Sequence, residues 1–273
     1  MLNRKSVRDM MGFVISVPEN PLRIVSLVPS QTELICDLGL ADRLYGVTKF
    51  CIHPEEIVSK KTVVGGTKTF HSEAIRVLNP DLIIANKEEN DRDLLLNLKK
   101  HYPVWISDVK NLDECRQMIS EMGTLLNREE DASFINRKIE EGFAGLPTLS
   151  RKIKTAYLIW RNPFMSANAD TFINDIMQRC GLENVFAHKE GRYPEISPAE
   201  LKAADPELIL LSSEPYPFSE KHFAEIEEIL PNASLALADG EMFSWYGSRM
   251  MFAPVYLRKL SEDILQPISS PVS

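Results

Sequence analysis

Long apolar runs are missing from this chain. No stretch approaches the roughly 20 consecutive apolar residues that a membrane-spanning helix requires, so no membrane insertion is expected. Basic runs are missing too. Lys and Arg number 31 against 39 Asp and Glu, a net charge of −8, and no Lys/Arg-rich segment opposes it. That balance argues against a nucleic-acid partner. Cysteine is scarce: the four at 36, 51, 115 and 180 form no CxxC pair, and a chain of this size needs no covalent staples. They read as separate buried or reduced thiols. Catalytic signatures are equally absent. There is no GxGxxG or GxxxxGKS/T loop to cradle phosphate, no GxSxG elbow for a nucleophilic serine, and no HxxxH or HExxH spacing among five histidines. Nothing here calls for an intrinsic cofactor or for the site of an enzyme.

What is present is an ordinary globular balance, 44% hydrophobic and 26% charged, in 273 residues, enough for one large domain or two lobes. Short apolar runs alternate with amphipathic segments. Strands are expected at 23–28, 44–48, 81–85 and 103–107, with helices between them. Ser30 and Glu33 have the spacing of a capping box, and Gly39 that of a helix stop. The pair Gly65-Gly66 suits a turn with positive φ. This alternation predicts a mostly parallel, doubly wound α/β sheet. From 111 to 146 the rhythm changes: Leu112, Cys115, Met118, Ile119, Met122, Leu125 and Leu126 recur at helical spacing, then Phe134, Ile135, Ile139 and Phe143. One long helix or two packed helices are both compatible. The alternation then restarts, with strands at 155–160 and 234–239 and a second capping box at Ser197 and Glu200.

The restart is a repetition. LNPDLIIAN (78–86) matches ADPELILLS (204–212), and DLGLADRLYGV matches RCGLENVFA. The expected architecture is two similar doubly wound lobes, 1–110 and 148–273, joined by a helical connector over 111–147, with a ligand cleft between them. The start, with Lys and Arg before MMGFVISV, has the outline of an export signal. Its apolar run is only eight residues, Asp9 precedes it and no small-x-small cleavage site follows. It reads as a strand, and the chain as written is expected to stay in the cytoplasm. CIH (51–53) sets Cys51 and His53 two apart, half of a metal site at most. NKEEND (86–91) reads as a solvated helix start.

Taken in order, RIVSLVPSQTELICDLGL, YGVT, HP, VGGT and EAIRVLNPDLIIAN, followed by NPFMSANADTFINDIMQRCGLENVF and YPEISPAELKAADPELILL, resemble the class III periplasmic binding proteins. These are the substrate-binding components of ABC importers for cobalamin, haem and ferric siderophores, and the likeness is nearest to the cobalamin-binding member. It runs from about residue 8 to about residue 262. The resemblance implies a monomer that captures a cobalamin-like or iron-chelate ligand in the cleft, moves little on binding, and delivers its cargo to an ABC permease in the periplasm or cell envelope. The family's ligand-clamping positions fall at His53 or Phe50, Thr67, Asn86 and Tyr193, and Tyr193 is the one that plainly keeps a stacking aromatic. Trp160 and Arg161 follow one strand of the second lobe, and Trp245 and Tyr246 follow another, where open α/β sheets hold ligands. Arg161, Arg249 and Lys68 suit a ligand bearing carboxylates or phosphate. Glu73 and Glu200 fall at or beside the family's two permease-docking acids. The rival readings are an intracellular chelate-handling protein or enzyme on the same scaffold, and a divalent-metal binder using Cys51 and His53.

Overall fold

The repeated phrases at 78–86 and 204–212 do the same three things in the computed structural model, which describes residues 3–265 and residue 268. Each first stops a helix. Ser72–Leu78 ends at Asn79 (φ 46°) and Pro198–Ala204 at Asp205 (φ 45°). Asn and Asp tolerate the left-handed region because a short polar side chain can bond locally, and the proline that follows cannot continue the helix. The acid after the proline then fastens the neighbouring strand. Asp81 accepts hydrogen bonds from the backbone N–H groups of Leu22 and Arg23, both at 2.9 Å, and Glu207 accepts from that of Lys154 at 3.2 Å. A wholly buried strand of five residues comes last. The duplication in sequence is a duplicated strand junction.

The chain divides into two compact units. The first takes residues up to Val109, Asp113–Lys138 and Tyr246–Arg249; the second takes Lys110–Leu112, Ile139–Trp245 and the chain from Met250 on. The first unit carries β1 (Arg4–Arg8), β2 (Val14–Pro18), β3 (Ile24–Ser26), β4 (Leu44–Val47), β5 (Thr62–Val63), β6 (Leu82–Asn86) and β7 (Val104–Ser107). The last five make an all-parallel sheet in the order β5-β4-β3-β6-β7. The chain enters at β3, steps outward to β5, then returns to the other side, so the direction of winding reverses between β3 and β6. Every residue of β3, β6 and β7 is buried, which is why IVS, LIIAN and VWIS are apolar runs and not alternations. The strand expected in MMGFVISV exists as β2, but it pairs only with β1, as an antiparallel hairpin outside the main sheet. RKSVR, with one apolar residue, gives no strand signal.

The second unit carries β8 (Ile153–Trp160), β9 (Phe164–Ser166), β10 (Leu182–Asn184), β11 (Glu195–Ile196), β12 (Leu208–Ser212) and β13 (Ser234–Ala238). β10, β8, β12 and β13 run parallel, while β9 pairs antiparallel with the end of β8, and β11 with β9. Each unit has its own core: Val25, Leu27, Ile75, Ile83 and Val104 among others in the first, and Ala156, Leu158, Phe186, Leu201 and Ile209 in the second.

Of the two arrangements open over 111–146, the structure has the pair. Leu112–Leu126 and Glu129–Ala144 are separate helices, broken where Asn127 turns left-handed (φ 57°). The stripe from Leu112 to Leu126 is buried throughout, as are Ile135 and Ile139, but Phe134 is exposed, with Arg137 and Lys138 each 5.8 Å from its ring. The capping box expected at Ser30 and Glu33 is not formed. Helix Pro29–Asp37 starts one residue earlier, with Val28 as its cap and no side-chain cap bond. Proline is preorganised for the first helical position, and placing it there moves Ser30 inside the helix.

Candidate functional site

Ligands in open α/β sheets gather outside the carboxyl ends of the strands, at the point where the winding reverses. In the first unit the loops at that end are tied by buried side chains. Asn90 donates to the carbonyls of Leu27 and Thr67, both at 3.0 Å, and its own Oδ1 accepts from the Asn86 N–H at 2.8 Å. Asn86 is fully spent: its Nδ2 donates to Ser107 O and Oγ, and its Oδ1 accepts from the N–H groups of Glu88 and Glu89. Asn86 and the Thr67 carbonyl therefore meet through Asn90, and the buried Asn86 side chain fixes the loop geometry.

The loop after β4 is different. Phe50 is 49% exposed, with the Lys49 ammonium 4.9 Å from its ring centre. Its ring lies against Gly66, where an added Cβ would stand 3.4 Å from Cε2, so Phe50 and the 65–68 turn form one surface. Of Gly65 and Gly66, only Gly65 has positive φ. Beside this loop lies an open concavity of about 420 Å³ whose lining includes Lys49, Ile52, His53 and Glu55. Cys51 points inward: its Sγ lies 3.1 Å from Thr32 Oγ1 and 3.3 Å from Thr48 Oγ1. Burial pushes that thiol up, against the pull of both threonines, so it stays protonated at neutral pH and is a poor metal ligand. Among the described residues no group of three or more His, Cys, Asp or Glu is placed to hold a metal ion.

The cations expected to anchor carboxylates are engaged within the chain. Arg249 grips Glu33 with both arms of its guanidinium, at 2.8 and 2.6 Å. Arg161 pairs with Glu225 at 2.6 Å, and the Lys68 ammonium bonds the Glu88 carbonyl. Sequence reading gave Glu33 only a capping role and missed its pairing with Arg249. Burial holds its carboxyl above the ordinary range, with Arg249 and, more weakly, His53 pulling the other way. Asp37, one helical turn on, is raised by burial too, against the pull of Ser248 and Arg249. The i, i+4 spacing of Glu33 and Asp37 on one helix face was the signal available.

In the second unit Trp160 closes β8, 40% exposed, with its ring edge-on to Tyr216 at 5.7 Å; Tyr193 is 36% exposed. Trp160 and Arg161 come together around Tyr216, which also bonds the Arg161 side chain. Trp245 and Tyr246, expected among the ligand-binding residues beyond a strand end, are buried. Trp245 bonds Glu214, whose carboxyl burial raises and which accepts from Ser244 Oγ at 2.7 Å. The two acids at the docking positions differ. Glu73 is well exposed and paired with Arg76 three residues on, at 2.8 and 2.6 Å, which holds its carboxyl below the ordinary range. Glu200 completes the capping box with Ser197 and also binds Lys189; with these partners its pKa falls to about 2.

A family model described as periplasmic binding protein matches residues 24–237, well over half of the chain. The chain belongs to the periplasmic binding protein family. Members are non-enzymatic transport components, so the chain is not an enzyme and its role is substrate binding. The family binds small chelates and works with ABC permeases. The vitamin B12-binding protein of Pectobacterium atrosepticum is 25% identical over 200 residues, 70% of this chain and 71% of that one. Two solved structures share the fold. The vitamin B12-binding protein of Vibrio cholerae superposes with a TM-score of 0.73 at 22% identity, over 90% of this chain and all of that one. A haem-binding protein from Roseiflexus sp. RS-1 gives 0.79 at 20% identity, over 91% of this chain and 99% of that one. The two-lobed α/β architecture expected from the repeats is that of these neighbours.

Proposed function

We propose that the chain acts as a monomer that captures a metal-containing chelate, first of all a corrinoid of the cobalamin type, and hands it to an ABC permease. One observation carries the reading: large aromatic side chains are left exposed at strand carboxyl ends in both units, Phe50 after β4 and Trp160 at the end of β8. An exposed ring on a fixed loop suits a flat or bulky ligand, which it covers at low entropic cost. The names of the relatives support the corrinoid. The engagement of Arg161, Arg249 and Lys68 with internal partners favours the less anionic ligand, since a corrinoid is fringed with amides and carries one phosphodiester whereas haem carries two carboxylates.

The test is titration of the protein with cyanocobalamin, haemin and a ferric siderophore, read by visible absorption and by quenching of tryptophan fluorescence. Cyanocobalamin is expected to bind, and Phe50→Ala to weaken it by about 1–3 kcal/mol, the usual loss for a desolvated aromatic anchor. Saturation by haemin alone would replace the corrinoid with haem.

Delivery has its own test. Glu73 stands on the surface at the end of an exposed helix face, and its partner Arg76 does not bury it. Glu73→Arg is expected to leave cyanocobalamin affinity unchanged and to abolish uptake in a reconstituted importer, because a like-charge contact then opposes assembly. Normal uptake would return Glu73 to the role of a solvated acid. Glu200, held by Ser197 and Lys189, is expected to matter less.

A further inference from the structure

The β1–β2 hairpin has no part in the ligand reading, yet it is built with care. Its inner row is anchored: the Lys5 ammonium donates to Thr124 O and Asn127 Oδ1, both at 2.8 Å, and Asn127 donates to Glu19 O at 2.6 Å. The Met10 N–H reaches Ile106 O, at the end of β7, at 3.1 Å. The turn is organised by Asp9, whose Oδ1 accepts from the N–H groups of Met11 and Phe13 at 3.1 and 2.8 Å, with Gly12 at φ +85°. The ribbon is therefore held firmly, and its outer row, Arg4, Ser6 and Arg8 on β1 with Val14 and Ser16 on β2, faces solvent.

Its tip runs against the usual chemistry of turns. Met11 is 36% exposed, Phe13 50% and Val14 62%, three large apolar side chains within four positions where polar residues normally stand. Cations ring them. Arg8 donates to Gly12 O at 2.7 Å, and the Lys99 ammonium lies 3.6 Å from the Phe13 ring centre. Asp9, the acid of the turn, is buried beneath it, and the exposed Glu19 stands at the opposite end of the ribbon, its N–H on Asn3 O at 3.0 Å. In a chain of net charge −8, residues 3–18 thus present exposed arginines, apolar side chains and no exposed acid.

We infer that this hairpin is a membrane-surface contact that seats on an anionic bilayer, its arginines among the headgroups and the Met11–Phe13–Val14 tip at the acyl boundary. Clustered basic residues beside a small apolar wedge favour such a surface over a neutral one. The acidic remainder of the chain is repelled by an anionic bilayer, so such a surface selects this face. The anchoring through Lys5 and Asn127 means that little freedom is lost on contact. Among the described residues no helix is long and apolar enough to cross a membrane.

The experiment is flotation of the full chain with protein-free vesicles of phosphatidylcholine alone, or with about a third phosphatidylglycerol, at low and at high salt. Wild type is expected to float with the anionic vesicles only, and to be released by salt. Phe13→Ser/Val14→Ser and Arg4→Glu/Arg8→Glu should each lower the bound fraction at least fivefold, with melting temperature and cyanocobalamin binding unchanged. The two double variants test the wedge and the charge independently, so one that fails to fold leaves the other. No flotation of wild type, or flotation that neither variant reduces, overturns the inference. Binding that needs a permease in the bilayer and is lost in the same variants also overturns it, and makes the hairpin a protein-contact face.

Discussion

Arg249→Met is expected to lower the unfolding free energy by about 3–5 kcal/mol at neutral pH, the range for removing one partner of a buried ion pair. Both side chains are nearly enclosed, 11% exposed for Arg249 and 8% for Glu33, so water cannot replace the lost guanidinium. Burial already raises the Glu33 carboxyl, and Arg249 is its chief counterweight. The sign of the pH dependence follows. A carboxyl whose folded pKa lies above its unfolded value costs stability above that folded pKa, and the cost disappears as pH falls below the unfolded value. The variant raises the folded pKa further, so the gap between variant and wild type should be largest at neutral pH and shrink on acidification. The double variant Glu33→Met/Arg249→Met should recover most of the loss, because the buried charge is gone as well. Denaturant unfolding at pH 7 and at about pH 4 provides the check. A single variant within 1 kcal/mol of wild type at pH 7 would mean that the pair is solvated and dispensable.

The same pair marks the limit of what could be read from sequence. Its partners are 216 positions apart, and no local pattern joins them. Arg249 belongs to a four-residue segment, Tyr246–Arg249, that packs in the first unit although its neighbours on both sides belong to the second. The Gly247 N–H bonds Cys115 Sγ at 3.1 Å in that same segment. Local features were legible because their partners are close in the chain. The buried stripe from Leu112 to Leu126 follows from period 3.6, and the Ser197–Glu200 box from a spacing of three. Identical spacing at Ser30 and Glu33 misled, since Pro29 takes the first helical position and frees Glu33 for a distant arginine. β9 and β11, of three and two residues, are too short to show a period.

At the candidate site, residue type was legible and side-chain direction was not. Asn86 stands at a position that the resemblance assigns to ligand, but its amide is consumed by Ser107 and by the loop N–H groups. Trp245 follows a strand end, as expected, and turns inward to Glu214. Phe50 and Trp160 also follow or close strands and stay exposed. What separates the two outcomes is a buried polar partner for the indole, and that partner comes from another loop.

The second large effect is expected at Gly65, where Gly65→Ala should cost about 2–6 kcal/mol and weaken cyanocobalamin binding. Gly65 has φ +120°, a region that a residue with a Cβ occupies only under strain, at about 1–3 kcal/mol. A Cβ there would also lie 2.7 Å from Phe70 Cα and 2.7 Å from Thr69 O. Both are backbone atoms in a turn closed by the Gly65–Phe70 bridge and by His71 N–H on Val64 O at 2.7 Å, so no rotamer change relieves the overlap. Relief requires moving the chain, at about 1–3 kcal/mol more. The movement reaches the candidate site by a direct link, because the Lys49 N–H donates to Gly65 O at 2.8 Å, one residue before Phe50. Gly66→Ala is the internal control. It has no positive φ, and its Cβ would meet a side-chain oxygen, Thr69 Oγ1, at 3.0 Å and the Phe50 ring at 3.4 Å, both able to shift. That variant is expected to stay within about 1 kcal/mol of wild type, as substitutions away from strained positions usually do. Equal stabilities for the two variants would show that the 65–70 turn relaxes freely, and that its hold on the Phe50 loop is weak.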